Sequence, residues 1–188
     1  QINKNDSKMN NSIIRGRVLT FKRMPNSNFD TESYTYIEDG ALFITNGIIS
    51  KLGSFKEVKA TVSEKITIYD HRPLLIVPGF VDTHLHFPQI QIIGSYAANL
   101  LEWLNTYTYI EEQKYKEPHH GKFMAKEFFN TLINYGTTTA AAFCTIHPES
   151  VEAFFTESHR RNMLMIGGKV MMDQNAPKIL LDTPKSGY

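Results

Sequence analysis

The chain has 188 residues, of which 41% are hydrophobic and 21% are charged, and its formal net charge is +1. This composition is typical of a globular protein with an ordinary core. It argues against a strongly basic surface of the kind that binds nucleic acid or a membrane. No apolar run approaches the roughly 18 residues that a transmembrane helix needs.

Cysteine usage and the amino-terminal residues indicate the cellular compartment. Cys144 is the single cysteine, so an internal disulfide is excluded and a reducing, cytoplasmic location is predicted. The polar start, QINKNDSKMNNS, lacks the apolar core of a signal peptide. Residues 1 to about 11 are predicted to be mobile.

The first third of the chain has the pattern of short β-strands separated by turns. Asn46-Gly47 is a strong signal for a type I′ hairpin turn between two of them. The predicted strands are Ser12–Arg23, Ala41–Thr45, Ile48–Leu52 and Ile66–Arg72. Residues 1–72 are therefore expected to form a small β-sandwich or split barrel.

From Pro73 onwards, strands and helices alternate, which is typical of a parallel α/β domain. The run LLIVPGFVDTHLH is almost continuously apolar and predicts a strand buried on both faces. The later strands are predicted at Gly136–Ile146 and Met163–Asp173, and the helices at Leu100–Tyr115, Lys122–Tyr135 and from Pro148 to Asn162. The domain boundary is placed near residue 73, so residues 73–188 form the second domain.

Three strands do not close a barrel. An eight-stranded α/β barrel typically needs ~250 residues. We therefore expect the chain to be a truncated part of a longer protein that contains the first three β/α units of such a barrel.

Two histidines one residue apart follow the first apolar strand of this domain. In a strand, residues i and i+2 point to the same face, so the imidazoles of His84 and His86 are expected to lie side by side. At the carboxyl end of a parallel strand they would reach the edge where such folds keep their chemistry. Two neutral imidazoles suit a divalent metal, most often zinc.

Other polar residues near this motif have two interpretations each. Asp82 either orients the imidazoles or satisfies backbone groups. His147 ends the second strand, where a helix-capping role is favoured over that of a further metal ligand. No metal partner is evident for the remaining histidines, which are His71, His119, His120 and His159.

The motif PGFVDTHLH resembles the amidohydrolase superfamily, whose members are metal-dependent hydrolases with a (β/α)₈ TIM barrel and a small β-sandwich. The further segments HFPQ, LLEWLNTYTYIEEQKYK, NYGTTTAAAFCTIH and GGKVMMDQNAP are similar to those of the guanine deaminases within it. The similarity covers most of Pro73–Tyr188.

The resemblance assigns His84 and His86 as ligands of one zinc ion. It places His86, Phe87, Pro88 and Gln89 in the segment that binds the purine. The Gln89 amide carries a donor and an acceptor for a purine edge, and this role is favoured over the alternative of a turn residue after Pro88. Leu101 and Trp103 match residues around the pocket wall, and core packing is the alternative that we favour for the tryptophan.

The resemblance implies hydrolytic deamination of guanine to xanthine and ammonia, a step of purine catabolism. Zinc would activate water and a carboxylate would move a proton to the leaving amine. The remaining ligands and this catalytic carboxylate are expected beyond residue 188, so the isolated chain is expected to be inactive. The resemblance also implies a homodimer.

Two alternatives remain open. The parent could be a related deaminase or chlorohydrolase that acts on another purine, a pterin or a triazine. The chain could instead be an inactive module that binds metal or oligomerises through an open sheet edge. Cys144 is expected to be inert core, and Asp173 is a weak candidate at the end of the third strand.

Overall fold

The computed structural model describes residues 11–62 and 65–187. It has two compact units, Gln1–Pro78 and Gly79–Tyr188. The predicted mobility of the start concerns residues that, apart from Asn11, lie outside the described ones. Within the described ranges, no helix has the length and apolar character needed to cross a membrane.

The first unit contains one four-stranded sheet with the strand order β3-β2-β1-β4. Its strands are β1 (Ser12–Phe21), β2 (Tyr34–Thr45), β3 (Ile48–Ser54) and β4 (Thr67–Ile76), and helix α1 (Phe55–Lys59) follows β3. The pairs β1–β2 and β2–β3 are antiparallel, whereas β1–β4 is parallel. The described residues of this unit thus form one sheet, and the predicted sandwich stays a prediction.

The tight turn between β2 and β3 confirms the predicted hairpin. Asn46 and Gly47 have φ values of 54° and 78°, the left-handed backbone that a type I′ turn requires at both positions. The pairing starts immediately, with Thr45 opposite Ile48. The small core of this unit is built around Ile13, Ala41 and Val58.

The predicted boundary near residue 73 differs from the observed one. Strand β4 continues past Pro73 because Leu75 and Ile76 pair with Arg17 and Val18 of β1 after a register shift. The apolar run that predicted one strand is therefore divided between two sheets. Its first part ends β4, and its second part begins the other unit at Gly79.

The second unit has a three-stranded parallel sheet with the order β5-β6-β7. The strands are β5 (Phe80–His86), β6 (Thr137–Phe143) and β7 (Leu164–Gly168). The helices are α2 (Leu100–Trp103), α3 (Tyr109–Gln113), α4 (Pro118–Asn134), α5 (Pro148–Arg161) and α6 (Pro184–Gly187). This alternation confirms the α/β pattern predicted for this part of the chain.

Helices α4 and α5 cover one face of this sheet with an aromatic core. The Phe87 ring lies 5.3 Å from that of Phe128, and the Phe129 ring lies 5.4 Å from that of Phe154. The other face of the sheet is exposed, since Val81 keeps 66% of its surface accessible. Within the described residues only one layer of helices packs on the sheet, so burial of this strand on both faces stays a prediction for the whole protein.

The segment predicted as one helix over Leu100–Tyr115 is helical but not uniform. A π-helical turn, Leu104–Thr108, separates α2 from α3, and a 3₁₀ turn, Lys114–Lys116, follows α3. In the π turn the Tyr109 N–H donates to the Leu104 carbonyl, five residues back. Such turns are rare and commonly lie at functional sites.

Candidate metal and substrate site

The two histidines at the end of β5 lie together, as the sequence predicts. The ring centroids of His84 and His86 are 5.2 Å apart with the planes at 64°. The register between β5 and β6 shifts between Asp82 and Leu85, which marks an irregularity in the strand just before the pair. The two imidazoles remain neighbours despite it.

Phe143 packs against both imidazoles. Its ring centroid lies 5.6 Å from that of His84 and 5.0 Å from that of His86. Phe143 is the last residue of β6 and pairs in register with His86. The carboxyl ends of adjacent parallel strands thus place a hydrophobic ring beside the two nitrogen donors.

Burial and the neighbouring imidazole lower the pKa of His86, with burial the larger cause. At neutral pH its imidazole is therefore uncharged, which is the form that binds a metal. The Asp82 Oδ1 accepts a hydrogen bond from the His84 backbone N–H at 3.0 Å. Of the two roles predicted for Asp82, the structure has the one of satisfying the backbone.

A cavity of about 350 Å³ opens beside the histidines. This volume is at the small end of the range for ligand sites, so the cavity suits a small molecule. Its polar lining includes His84, His86 and Gln89. Apolar side chains, among them Ile92 and Leu132, supply much of the remaining surface.

The segment from His86 to Gln89 contributes unevenly to this cavity. Its first and last side chains line the cavity, whereas those of Phe87 and Pro88 do not. Phe87 is fully buried, and its ring lies 5.1 Å from that of Tyr115 in the aromatic core. The structure places Phe87 and Pro88 in the core and not at the cavity, where their substrate contacts were predicted. This buried pair holds the segment that presents Gln89.

Trp103 lines the cavity, which corrects the favoured interpretation of this residue as core. Its indole Nε1–H donates to the Ser95 Oγ at 2.8 Å, and Ser95 lines the same cavity. Leu101, the other residue matched to the pocket wall, keeps 70% of its surface exposed and does not line the cavity. The helical turn directs Trp103 inward and leaves Leu101 in solvent.

The donor set fits a metal ion only in part. Two neutral-capable imidazoles at a strand end suit zinc, but a catalytic zinc site usually has three or more protein ligands. Residues 11–62 and 65–187 contain no group of three or more His, Cys, Asp or Glu side chains that could hold a metal. His84 and His86 are therefore one part of a ligand set.

His147 does not join the other two histidines in such a group. It occupies the N-cap position of α5, but its side chain makes no capping hydrogen bond. Its backbone carbonyl instead accepts from the Ser150 Oγ at 2.8 Å. Burial lowers the pKa of His147, and its buried Nε2 has no hydrogen-bond partner. The helix-capping role predicted for His147 is therefore not observed for its side chain.

Two further predictions about polar residues have clear outcomes. Cys144 is buried, and burial raises its pKa to about 12, in keeping with an inert thiol. Asp173 is exposed and lies outside β7. The predicted third strand was too long, since β7 ends at Gly168. His119 and His120 start α4, and the Nε2 atom of His120 is buried.

Sequence reasoning missed two residues of the site. Phe143 could have been found, since parallel strands with matched carboxyl ends place the end of β6 next to His86. Ser95 had no such signal, because it lies in a connecting loop whose path depends on tertiary contacts.

Comparison with known proteins gives consistent similarities. The chain is 43% identical over 176 residues to the guanine deaminase of Escherichia coli (strain K12), covering 93% of this chain and 40% of that protein. The solved E. coli guanine deaminase superposes with a TM-score of 0.86 at 41% identity, covering 93% of this chain and 41% of that one. The guanine deaminase of C. acetobutylicum, solved with guanine in its active site, has a TM-score of 0.75 at 28% identity, with coverages of 95% and 40%.

The chain thus spans about two fifths of the length of these relatives. The likeness supports the α/β fold and the interpretation of β5 to β7 as part of a TIM barrel. Residues 75–187 match the amidohydrolase family. That match covers more than half of the sequence and includes both site histidines, and the chain accordingly belongs to the amidohydrolase family.

Proposed function

We propose that the whole protein is a zinc-dependent guanine deaminase, which hydrolyses guanine to xanthine and ammonia in purine catabolism. The observation that carries the proposal is the position of Gln89. Its side chain lines the same small cavity as His84 and His86. An amide suited to a purine edge and two imidazoles suited to a metal thus face one space, and the similarity to the guanine deaminases of E. coli and C. acetobutylicum supports the same substrate.

The residues of this chain would have distinct roles in that reaction. Gln89 offers an amide N–H donor and a carbonyl acceptor, which can pair with the polar edge of guanine. The apolar wall would exclude water from the flat ring and strengthen these hydrogen bonds. Rejection of rings with a different edge would follow, because their binding leaves the Gln89 amide unpaired.

His84 and His86 would hold the metal. Zinc supplies Lewis-acid activation of water near neutral pH when it is bound. The lowered pKa of His86 keeps its imidazole free of a competing proton. Phe143, which packs against both rings, would restrict their rotation.

The proposal extends to the assembly and the compartment. We infer one zinc ion per active site, a homodimer, and a cytoplasmic location in keeping with the single, reduced cysteine. Mass measurement of the native protein, zinc analysis and cell fractionation test these three statements separately.

Substitution of Gln89 tests the substrate assignment. Gln89→Ala in the zinc-loaded whole protein should lower kcat/KM for guanine by about 10- to 100-fold, the effect of losing hydrogen bonds to a buried polar edge. The matched control is Gln91→Ala, which changes an exposed glutamine two residues further on. It should leave kcat/KM within about twofold of wild type. Equal effects of the two substitutions on kcat/KM would show that Gln89 does not recognise the substrate.

A related ring deaminase is the competing proposal. Guanine, 8-oxoguanine, adenine, cytosine and S-adenosylhomocysteine form a panel that separates these activities. Preference for guanine supports the proposal, whereas turnover of another ring with guanine untouched contradicts it.

A further inference from the structure

Trp103 has a fixed orientation at the wall of the cavity. Its indole is half-buried, and the Nε1–H donates to the Ser95 Oγ at 2.8 Å. This is the hydrogen bond that the indole N–H needs when the ring is partly buried, since Nε1 is a donor only. Ser95 is therefore the residue that holds the indole by its polar edge.

The loop that carries Ser95 is itself fixed. Gly94 has a φ of +79°, a left-handed conformation that suits glycine, and the Ser95 N–H donates to the Ile92 carbonyl at 3.1 Å. The N–H of Ala98, three residues after Ser95, donates to the Glu102 carboxylate at 3.1 Å. Hydrogen bonds thus hold the loop at Ser95 itself and at Ala98.

A second hydrogen bond joins the same loop to the same helical segment. The Tyr107 hydroxyl donates to the Tyr96 carbonyl at 3.1 Å. Trp103 and Tyr107 are four residues apart, and their acceptors belong to adjacent residues. Trp103 is the last residue of α2, and Tyr107 lies within the π turn that follows. Two hydrogen bonds therefore join the loop to this helical segment, beside the cavity that Ser95 and Trp103 line.

We propose that Ser95 is a positioning residue that sets Trp103 as a rigid wall for the flat substrate ring, with Tyr107 securing the loop that carries Ser95. This inference rests on the proposed function for its effect on turnover. Without the Ser95 hydroxyl, the indole loses its partner and rotates among several side-chain conformations. The cavity then has to be ordered when the substrate binds, and that ordering weakens affinity.

The effect falls on binding rather than on the chemical step. A cavity wall contacts the ring equally in the ground state and the transition state, so its loss raises KM and leaves kcat almost unchanged. The loss of one neutral hydrogen bond corresponds to a rise of about three- to tenfold in KM. A defect in folding alone would instead lower the amount of active enzyme and hence the apparent kcat.

The test compares four variants of the whole, zinc-loaded protein with guanine as substrate. Ser95→Ala removes the acceptor, Ser95→Thr keeps a hydroxyl, and Tyr107→Phe removes the second bond. The matched control is Tyr96→Ala, because this side chain is 83% exposed and its hydrogen bond to the tyrosine hydroxyl uses the backbone carbonyl. We expect raised KM for Ser95→Ala and Tyr107→Phe, and near-normal KM for Ser95→Thr and Tyr96→Ala.

A second readout does not depend on catalysis. Trp103 is the one tryptophan of the 188-residue chain, and subtracting the spectrum of a Trp103→Phe variant isolates its emission in the whole protein. Ser95→Ala should shift the emission to longer wavelength and increase quenching by acrylamide, and Ser95→Thr should restore both. If guanine is not a substrate but these shifts appear, the proposed function fails and the positioning role stands. Unchanged emission and unchanged KM in Ser95→Ala would overturn the inference.

Discussion

The buried carboxyl group of Glu112 gives a stability prediction whose sign and size follow from the structure. Glu112 lies in α3 with 8% of its surface exposed. Burial raises its pKa from the usual 4.5 to about 7. The hydroxyl groups of Thr108 and Tyr115, on the same helical segment, are also buried and have no hydrogen-bond partner. The folded protein therefore holds Glu112 in an environment that disfavours its charge.

The pKa difference sets the magnitude. One pKa unit corresponds to ~1.4 kcal/mol, so a rise from 4.5 to about 7 amounts to about 3 kcal/mol. Because the folded pKa is the higher one, the native state binds the proton more tightly than the unfolded state. The full stability is thus present below pH 4.5, falls as the pH rises through 7, and stays low above it.

Glu112→Gln replaces the carboxyl by a neutral group of the same shape. We expect the variant to resemble wild type near pH 4.5 and to be more stable by up to about 3 kcal/mol at pH 8. Urea unfolding followed by far-ultraviolet circular dichroism measures both values.

The matched control is Glu117→Gln, since Glu117 is exposed and lies five residues further along the chain. This substitution should change the unfolding free energy by no more than about 0.5 kcal/mol at either pH. If the difference between Glu112→Gln and wild type is the same at both pH values, Glu112 does not titrate in a buried site and the reasoning fails.

Three further predictions concern the second unit. Gly136 has a φ of +81°, so Gly136→Ala should lower the unfolding free energy by about 1–2 kcal/mol. The control Gly168→Ala should lower it less, because no atom lies within 4 Å of the added Cβ. Ser150→Ala should destabilise by about 1–3 kcal/mol, because the fully buried Ser150 Oγ accepts from the Thr145 N–H at 3.0 Å; a loss below about 0.5 kcal/mol would contradict this role. Cys144 is 1% exposed with its pKa raised to about 12, so a thiol reagent at pH 8 should modify it only after unfolding, and rapid labelling of the native protein would refute its burial.

Local signals in the sequence predicted the elements that depend on local chemistry. The Asn46-Gly47 turn is correct to the residue because two consecutive positive φ values strongly favour these residue types. The α4 helix begins at Pro118, about one turn before the start at Lys122 that the apolar pattern predicted.

Features that depend on distant pairing could not be predicted. The apolar run around Pro78 gives no local sign that its first part pairs with β1 and its second part with β6. The π turn has no known sequence signal, and it decides where Tyr107 lies.

The residues of the candidate site were likewise predictable only where local sequence sets their positions. The strand period predicted the contact between His84 and His86, because both lie on one strand. The roles of Phe87 and Trp103 were harder to predict, since an aromatic residue beside a site can either fill the core or line the pocket. Their positions are set by the packing of α4 and by the Ser95 loop, respectively.

The most direct test of the central claim is guanine turnover by the whole protein, measured together with its zinc content. The account predicts that the zinc-loaded protein releases xanthine and ammonia in equal amounts. It also predicts that His84→Asn or His86→Asn loses most of the zinc and the activity, whereas His119→Asn, at an exposed position, retains both. Full guanine turnover by a histidine variant that no longer binds zinc would contradict the account.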